Sequence, residues 1–163
     1  MSSAVIKALS HFEPHDPGTL KLNCGQAVLA GLADRIGIDE KTAIGAGRPF
    51  AGGIGHQGNV CGALIAGAIA LGFATDAKAE PANRQIAYKR TRELFRRFSE
   101  RHGNVECRLL IGIDPSTPEG EHEVHTRNIH HTHCTAFVRS AVEIVEDLLK
   151  DEMADIRRKE ASR

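Results

Sequence analysis

The chain has 163 residues, the length of one ordinary domain and enough to bury a core without disulfide or metal staples. Basic and acidic residues both number 21, so formal net charge is zero, which argues against a general nucleic-acid or membrane-surface binder. No signal-peptide pattern opens the chain. The longest apolar run, Val60 to Ala74, is shorter than the roughly 20 residues that span a bilayer, so a cytoplasmic protein without membrane insertion is expected.

In chain order, Ala4 to His11 predicts a short helix, followed by a loop set by Pro14, Pro17 and Gly18. Asn23 is a good N-cap for the run CGQAVLAGLADRI, which stops at Gly37. Ala27, Val28, Gly31, Leu32 and Ile36 share one face with Cys24, so Cys24 points inward from the first turn. Asp39 caps a short helix ending at Gly47. A glycine-rich loop then carries Gly52, Gly53, Gly55 and Gly58, and leads into a helix over Val60 to Gly72 that opens at Cys61. This helix is apolar nearly all round and rich in small residues, including Gly62, which predicts a central position covered on every side.

Pro81 opens a long helix reaching His102, with Ile86, Leu94, Phe95 and Phe98 as its buried side and a basic remainder. Cys107 begins a helical turn, CRLLIG. Residues Pro115 to Asn128 read as a polar loop. The last helix is expected over Thr132 to Ile156, with Thr132 as N-cap, Cys134 in its first turn, an inner stripe from Phe137 to Leu149 and a frayed tail over residues 151–163. No period-two apolar pattern supports a strand. The fold class is therefore all-α: a single irregular bundle of five to six helices, with the glycine loop before a central small-residue helix.

The four cysteines, Cys24, Cys61, Cys107 and Cys134, include no CxxC pair, yet each falls at or near a predicted helix N-terminus. There, free N–H groups and the positive dipole end favour a thiolate. Thiolates brought together need a cation, for which an iron–sulfur cluster or zinc is the usual answer. Loop amides near Gly53 and Gly55 would donate to such a group. There are nine histidines, five of them between His122 and His133. His131 and His133, next to Cys134, and His56, within the glycine loop, are further candidates for a metal ligand, a donor to sulfur or a proton relay. No phosphate-loop, HExxH or GxSxG motif occurs, and the glycine loop does not follow a strand, so dinucleotide binding is weakly indicated.

The segments NCGQAVL, FAGGIGHQGNVCGALIAGAIALG and ECRLLIGID, with a C-terminal cysteine entering a helix, resemble the redox-active proteins named for their C…CGAxxG…C…C pattern. The resemblance covers about Lys21 to Glu146; one departure is Ala66 at the motif's final glycine, with Gly67 one place on. It implies a small helical domain with four functional cysteines. The same domain type is associated with an iron–sulfur cluster in split-Soret cytochromes, which implies ligation of a [2Fe–2S] or [4Fe–4S] cluster by Cys24, Cys61, Cys107 and Cys134. No CxxCH is present for covalent haem. The expected function is non-enzymatic electron transfer to a redox partner protein, docked through the basic helix Arg84 to Arg101. A thiol–disulfide protein cycling two cysteine pairs and a Cys/His zinc module are the alternatives. The small-residue helix is compatible with a homo-oligomer.

Overall fold

The computed structural model describes residues 1–13, 15, 21–75 and 81–161, with backbone alone for 151–161. Most of the predicted Pro14–Gly18 loop lies outside the described residues. Within them are eight α-helices: α1 (Ser3–Phe12), α2 (Cys24–Ile36), α3 (Glu40–Gly47), α4 (Gly62–Phe73), α5 (Ala82–His102), α6 (Cys107–Ile111), α7 (Pro118–Thr126) and α8 (Thr135–Ala161). A 3₁₀ turn at Arg48–Phe50 and a π turn at His130–Cys134 complete the regular structure. The all-α expectation holds. The only extended pairing among the described residues is a single antiparallel bridge between Val60 and Glu106.

The centre of the bundle is α2, which packs against α1, α3, α4 and α8. Its start is fixed by a full capping box: the Asn23 side chain accepts from Gln26 N at 2.9 Å, and Gln26 Oε1 accepts from Asn23 N at 3.2 Å. Gly37, at φ 69°, ends it in the left-handed conformation that glycine adopts without steric cost. Between these ends Val28, Leu29 and Leu32 are fully buried, each stabilising the fold by about 1.5–3 kcal/mol. Helix α1 seats Val5, Ala8 and Phe12 against α2 and α8. The stripe from Phe137 to Leu148 of α8 closes the core as the sequence indicates, and its backbone remains helical through Ala161 rather than ending near Ile156.

Five details depart from the sequence reading. Residues Pro115 to Asn128 are not all loop: Thr117 caps α7, accepting from Gly120 N at 3.0 Å, and Pro118 stands at its first position. With α6 and α7 counted, the helices number eight rather than five or six. Helix α4 is not covered on every side: Ile65, Ala68 and Ile69 are half-buried and Phe73 is exposed. On α5, Leu94 and Phe98 are buried, but Ile86 is exposed and Arg90 takes an inward position. Thr132 is not a cap; the last helix is entered through the π turn.

The basic face of α5 is partly neutralised by its own carboxylates. Glu93 accepts from Arg96 Nη2 and from Arg97 Nε, both at 2.7 Å, and Arg101 reaches Glu143 at 3.1 Å. The hydrogen bonds from Arg96 and then Arg97 hold the Glu93 carboxyl down at about 2, below its ordinary 4.5. A depressed folded value means stabilisation that is present above the ordinary value and lost as pH falls towards 2. We expect Glu93→Gln to leave neutral-pH stability within about 1 kcal/mol of wild type and to flatten the acid limb between these two values, as read by denaturant melts against pH.

The α1–α2 contact gives a second test. A Cβ on Gly31 would stand 2.6 Å from Ala8 Cβ and 2.7 Å from Ala4 O, whereas one on Gly45 would meet nothing within 4 Å. Gly31→Ala is expected to destabilise by about 1–3 kcal/mol through overpacking. Gly45→Ala, inside α3, is expected to stabilise by about 0.5–1 kcal/mol. Chemical unfolding of the two variants checks both signs.

Candidate four-cysteine site

All four cysteines are free thiols and line one cavity of about 440 Å³. They arrive from four separate elements. Cys24 is the first residue of α2, Cys61 is the N-cap of α4, Cys107 is the first residue of α6, and Cys134 ends the π turn before α8. Three therefore stand at helix N-termini as the sequence indicates. The fourth does not, because the π turn runs without a break into α8 and the Thr135 N–H is spent on His130 O and His133 O.

The glycine loop is built by positive-φ backbone at Gly52, Gly53, Ile54, Gly55, His56 and Gly58. A β-branched residue there is a strained conformation, costing about 1–3 kcal/mol. Two sets of bonds hold it. Internally, Gly55 N donates to Pro49 O at 2.8 Å and Gly58 N to Gly52 O at 2.9 Å. Externally, the loop is laced to the segment entering α6: Cys61 N donates to Val105 O at 2.8 Å and Cys107 N to Asn59 O at 2.6 Å. Arg108 completes the lacing, donating from Nη2 to Gln57 O at 2.6 Å and from Nε to Gly58 O at 3.2 Å, with Asp114 at 3.4 Å from Nη1. Arg108 is thus a clamp on the loop.

Two glycines are required by contact. A Cβ on Gly53 would stand 2.7 Å from Cys107 Cβ and 2.6 Å from Asn59 N. A Cβ on Gly62 would stand 1.7 Å from Phe50 O and 2.8 Å from Cys24 Sγ. Gly62 and Gly53 therefore let two cysteines approach backbone. Gly55 does neither: its amide is used within the loop, and nothing lies within 4 Å of its Cβ position. The loop amide that reaches a cysteine is that of Gly52, which favours the Cys24 thiolate together with those of Gly25 and Ala63. The Leu64 and Ala63 amides at the start of α4 do the same for Cys61.

Burial outweighs these donors. It pushes the Cys24 thiol up, and the Cys61 thiol well up with the Cys24 charge as the next cause. Burial and then Cys24 push Cys107 up to about 12. Cys134 is raised by burial, then by Cys24 and Cys107. Cys24 and Cys134 are half-buried as residues, yet desolvation of the thiol is the leading cause in both. The helix-terminus argument for standing thiolates therefore fails in the bare protein. Desolvation, joined at Cys61, Cys107 and Cys134 by the neighbouring cysteines, favours the protonated thiol at all four.

Histidines enter the site differently from the expectation. His56 lines the cavity, with its ring over Gly52. His131 instead bonds Glu13 Oε1 at 2.6 Å from an exposed position, and His133 Nδ1 pairs with Thr132 Oγ1 at 2.8 Å; neither lines the cavity. His125 and His130 do, with ring centroids 5.6 Å apart. His130 stands four residues before Cys134, a spacing that keeps both on one helical face. Recognising α7 from Thr117, Pro118 and Glu119 would have placed His125 next to the buried Val124.

Among the described residues, no three His, Cys, Asp or Glu side chains stand close enough to hold a single metal ion. The donor set nonetheless fits a larger thiolate-ligated group: four thiols without disulfides, backbone amides aimed at sulfur, and a cradle that the Cβ of any other residue at position 62 would fill.

The family described as "Putative redox-active protein (C_GCAxxG_C_C)" matches residues 22–148, which include all four cysteines and the glycine loop. The chain belongs to this family. No curated protein and no solved structure matches it.

The contact at Gly62 gives the sharpest test of the cradle. Gly62→Ala drives a carbon into the Phe50 carbonyl and against Cys24 Sγ, so we expect a loss exceeding the usual 1–3 kcal/mol of overpacking, roughly 3 kcal/mol or more. Gly67→Ala meets only the side chains of Leu94 and Val145, at 3.1 and 3.2 Å, and is expected to be milder. Thermal melts of the pair decide; equal losses would show that the cradle is not special.

Proposed function

We propose that this redox-active family member binds an iron–sulfur cluster through Cys24, Cys61, Cys107 and Cys134 and exchanges electrons with a redox partner protein. The observation that carries the reading is the convergence of four free cysteines from four elements on one cavity. A cluster held there would take up and release one electron at a time. The chain's own residues do the rest. Amides of Gly52, Ala63 and Leu64 favour thiolate over thiol and stabilise negative charge on sulfur. Arg108 fixes the loop that carries the Gly52 amide. The apolar wall from Phe12, Leu110, Ile111 and Phe137 limits water.

Cys24 and Cys134 are the half-buried members of the set, so the surface beside them is the shortest route for an electron to a partner. The face of α5, with Arg96, Arg97 and Arg101 in ion pairs, is a less strongly cationic docking surface than its sequence suggests. The raised thiols count against the disulfide alternative, since exchange needs an accessible thiolate. They favour a site in which metal, not oxidation, removes the protons.

Anaerobically purified protein is expected to be brown, to contain iron and acid-labile sulfide, and to bleach on reduction. Cys61→Ser, at the most enclosed of the four positions by its strongly raised thiol, is expected to lose most of the bound iron. A colourless protein with stoichiometric zinc, or a metal-free one that reversibly loses two or four hydrogens by mass, would overturn the reading.

A further inference from the structure

The cavity has two walls of different chemistry. One is built by the glycine loop, α2, α4 and α6 and carries Cys24, Cys61 and Cys107. The other is built by α7, the π turn and the end of α1, and carries His125, His130 and Phe12. Lys21 and Asn23, just before α2, and His56, from the glycine loop, line the cavity as well. A volume of about 440 Å³ falls within the range of small-molecule pockets, as does a largely apolar lining with a few convergent polar groups.

Outside the cavity, His102 packs its ring on Phe98 and Phe137 and leaves its buried Nε2 without a hydrogen-bond partner. His11, His131 and His133 each have a side-chain partner: Glu40, Glu13 and Thr132. The rings of His56, His125 and His130 make no hydrogen bond to the described protein; His130 has only ring contacts, with His125 and Phe12. His130 is held below its ordinary value by burial, then by Lys21, His125 and His56. Of the cavity's lining residues only Glu121 is a carboxylate. Three imidazoles and an ammonium thus line one cavity beside the rings of Phe12 and Phe137, with no hydrogen bond to another described side chain.

We propose that His125, His130, His56 and Lys21 form a binding subsite for a small organic anion, whose carboxylate or equivalent oxygens meet the imidazoles while its apolar body lies on Phe12 and Phe137. The subsite shares the cavity with the four cysteines, so the inference rests on that cavity being the working site, though not on the identity of the metal. It makes the protein a ligand-responsive or substrate-binding redox protein rather than a carrier alone. Glu121 is the opposing charge and limits affinity.

Isothermal titration calorimetry on the full chain as isolated, at mildly acidic pH, tests this with benzoate as probe and benzamide as its neutral isostere. Benzoate is expected to bind at one site, about tenfold or more tighter than benzamide, the size of one charge-assisted hydrogen bond. His125→Gln and His130→Gln are each expected to weaken benzoate several-fold, and Glu121→Gln to tighten it. Equal binding of the two probes, or no binding, overturns the proposal on wild-type protein alone, so it stays testable if a histidine variant misfolds. Unchanged affinity in both folded histidine variants overturns it as well. Iron measured on the same sample separates the two readings: iron-free protein that prefers benzoate fails the cluster reading only, and iron-loaded protein that ignores benzoate fails this one only.

Discussion

The structure depends on one close approach. The first residue of α4 lies so near the Phe50 carbonyl that a single added carbon would overlap it, and the same position faces Cys24 Sγ. Because Gly62 has no side chain, the N-termini of α2 and α4 can meet at the end of the 3₁₀ turn. That meeting places Cys24 and Cys61 within each other's electrostatic reach. It also aims the Ala63 amide at both sulfurs. Without it the glycine loop would have nothing to close over.

A second constraint opposes the first. Bringing thiols together in an apolar enclosure raises the cost of ionising any of them. Helix termini and loop amides reduce that cost but do not remove it. The bare site therefore favours protonated sulfur, and the balance shifts when a positive group enters and releases the protons.

Much of this was legible in the sequence. Capping at Asn23 and Asp39, the glycine stop at Gly37 and the inner stripe of α8 each obeyed a local rule, so elements and core followed. The cysteines were legible as a set because each stood at an element boundary. What was lost depended on geometry that spacing does not encode. His131 and His133 lie outside the cavity, while His130, four positions before Cys134 and on its helical face, lines it. The loop amides were expected to serve the site, but most are consumed in holding the loop's own strained backbone. The role of Arg108 as a clamp depends on the antiparallel lacing of residues 57–61 to 105–108, which no local pattern announces. The α7 signal was present in Thr117 and Pro118 and was hidden by the polar composition that followed.

That lacing divides the four cysteines into unequal partners. Cys61 and Cys107 are bonded through their own amides into one doubly stitched unit, and Cys24 is capped rigidly against it. Cys134 hangs on the opposite side, at the end of a turn that holds one residue more than an α-helix would. There the Thr135 N–H reaches back five residues to His130 O, so the turn that presents Cys134 is wider than an α-helical one. The spacing ahead of Cys134 is thus as much a part of the site as the cysteine itself, although no side chain in it need touch the bound group.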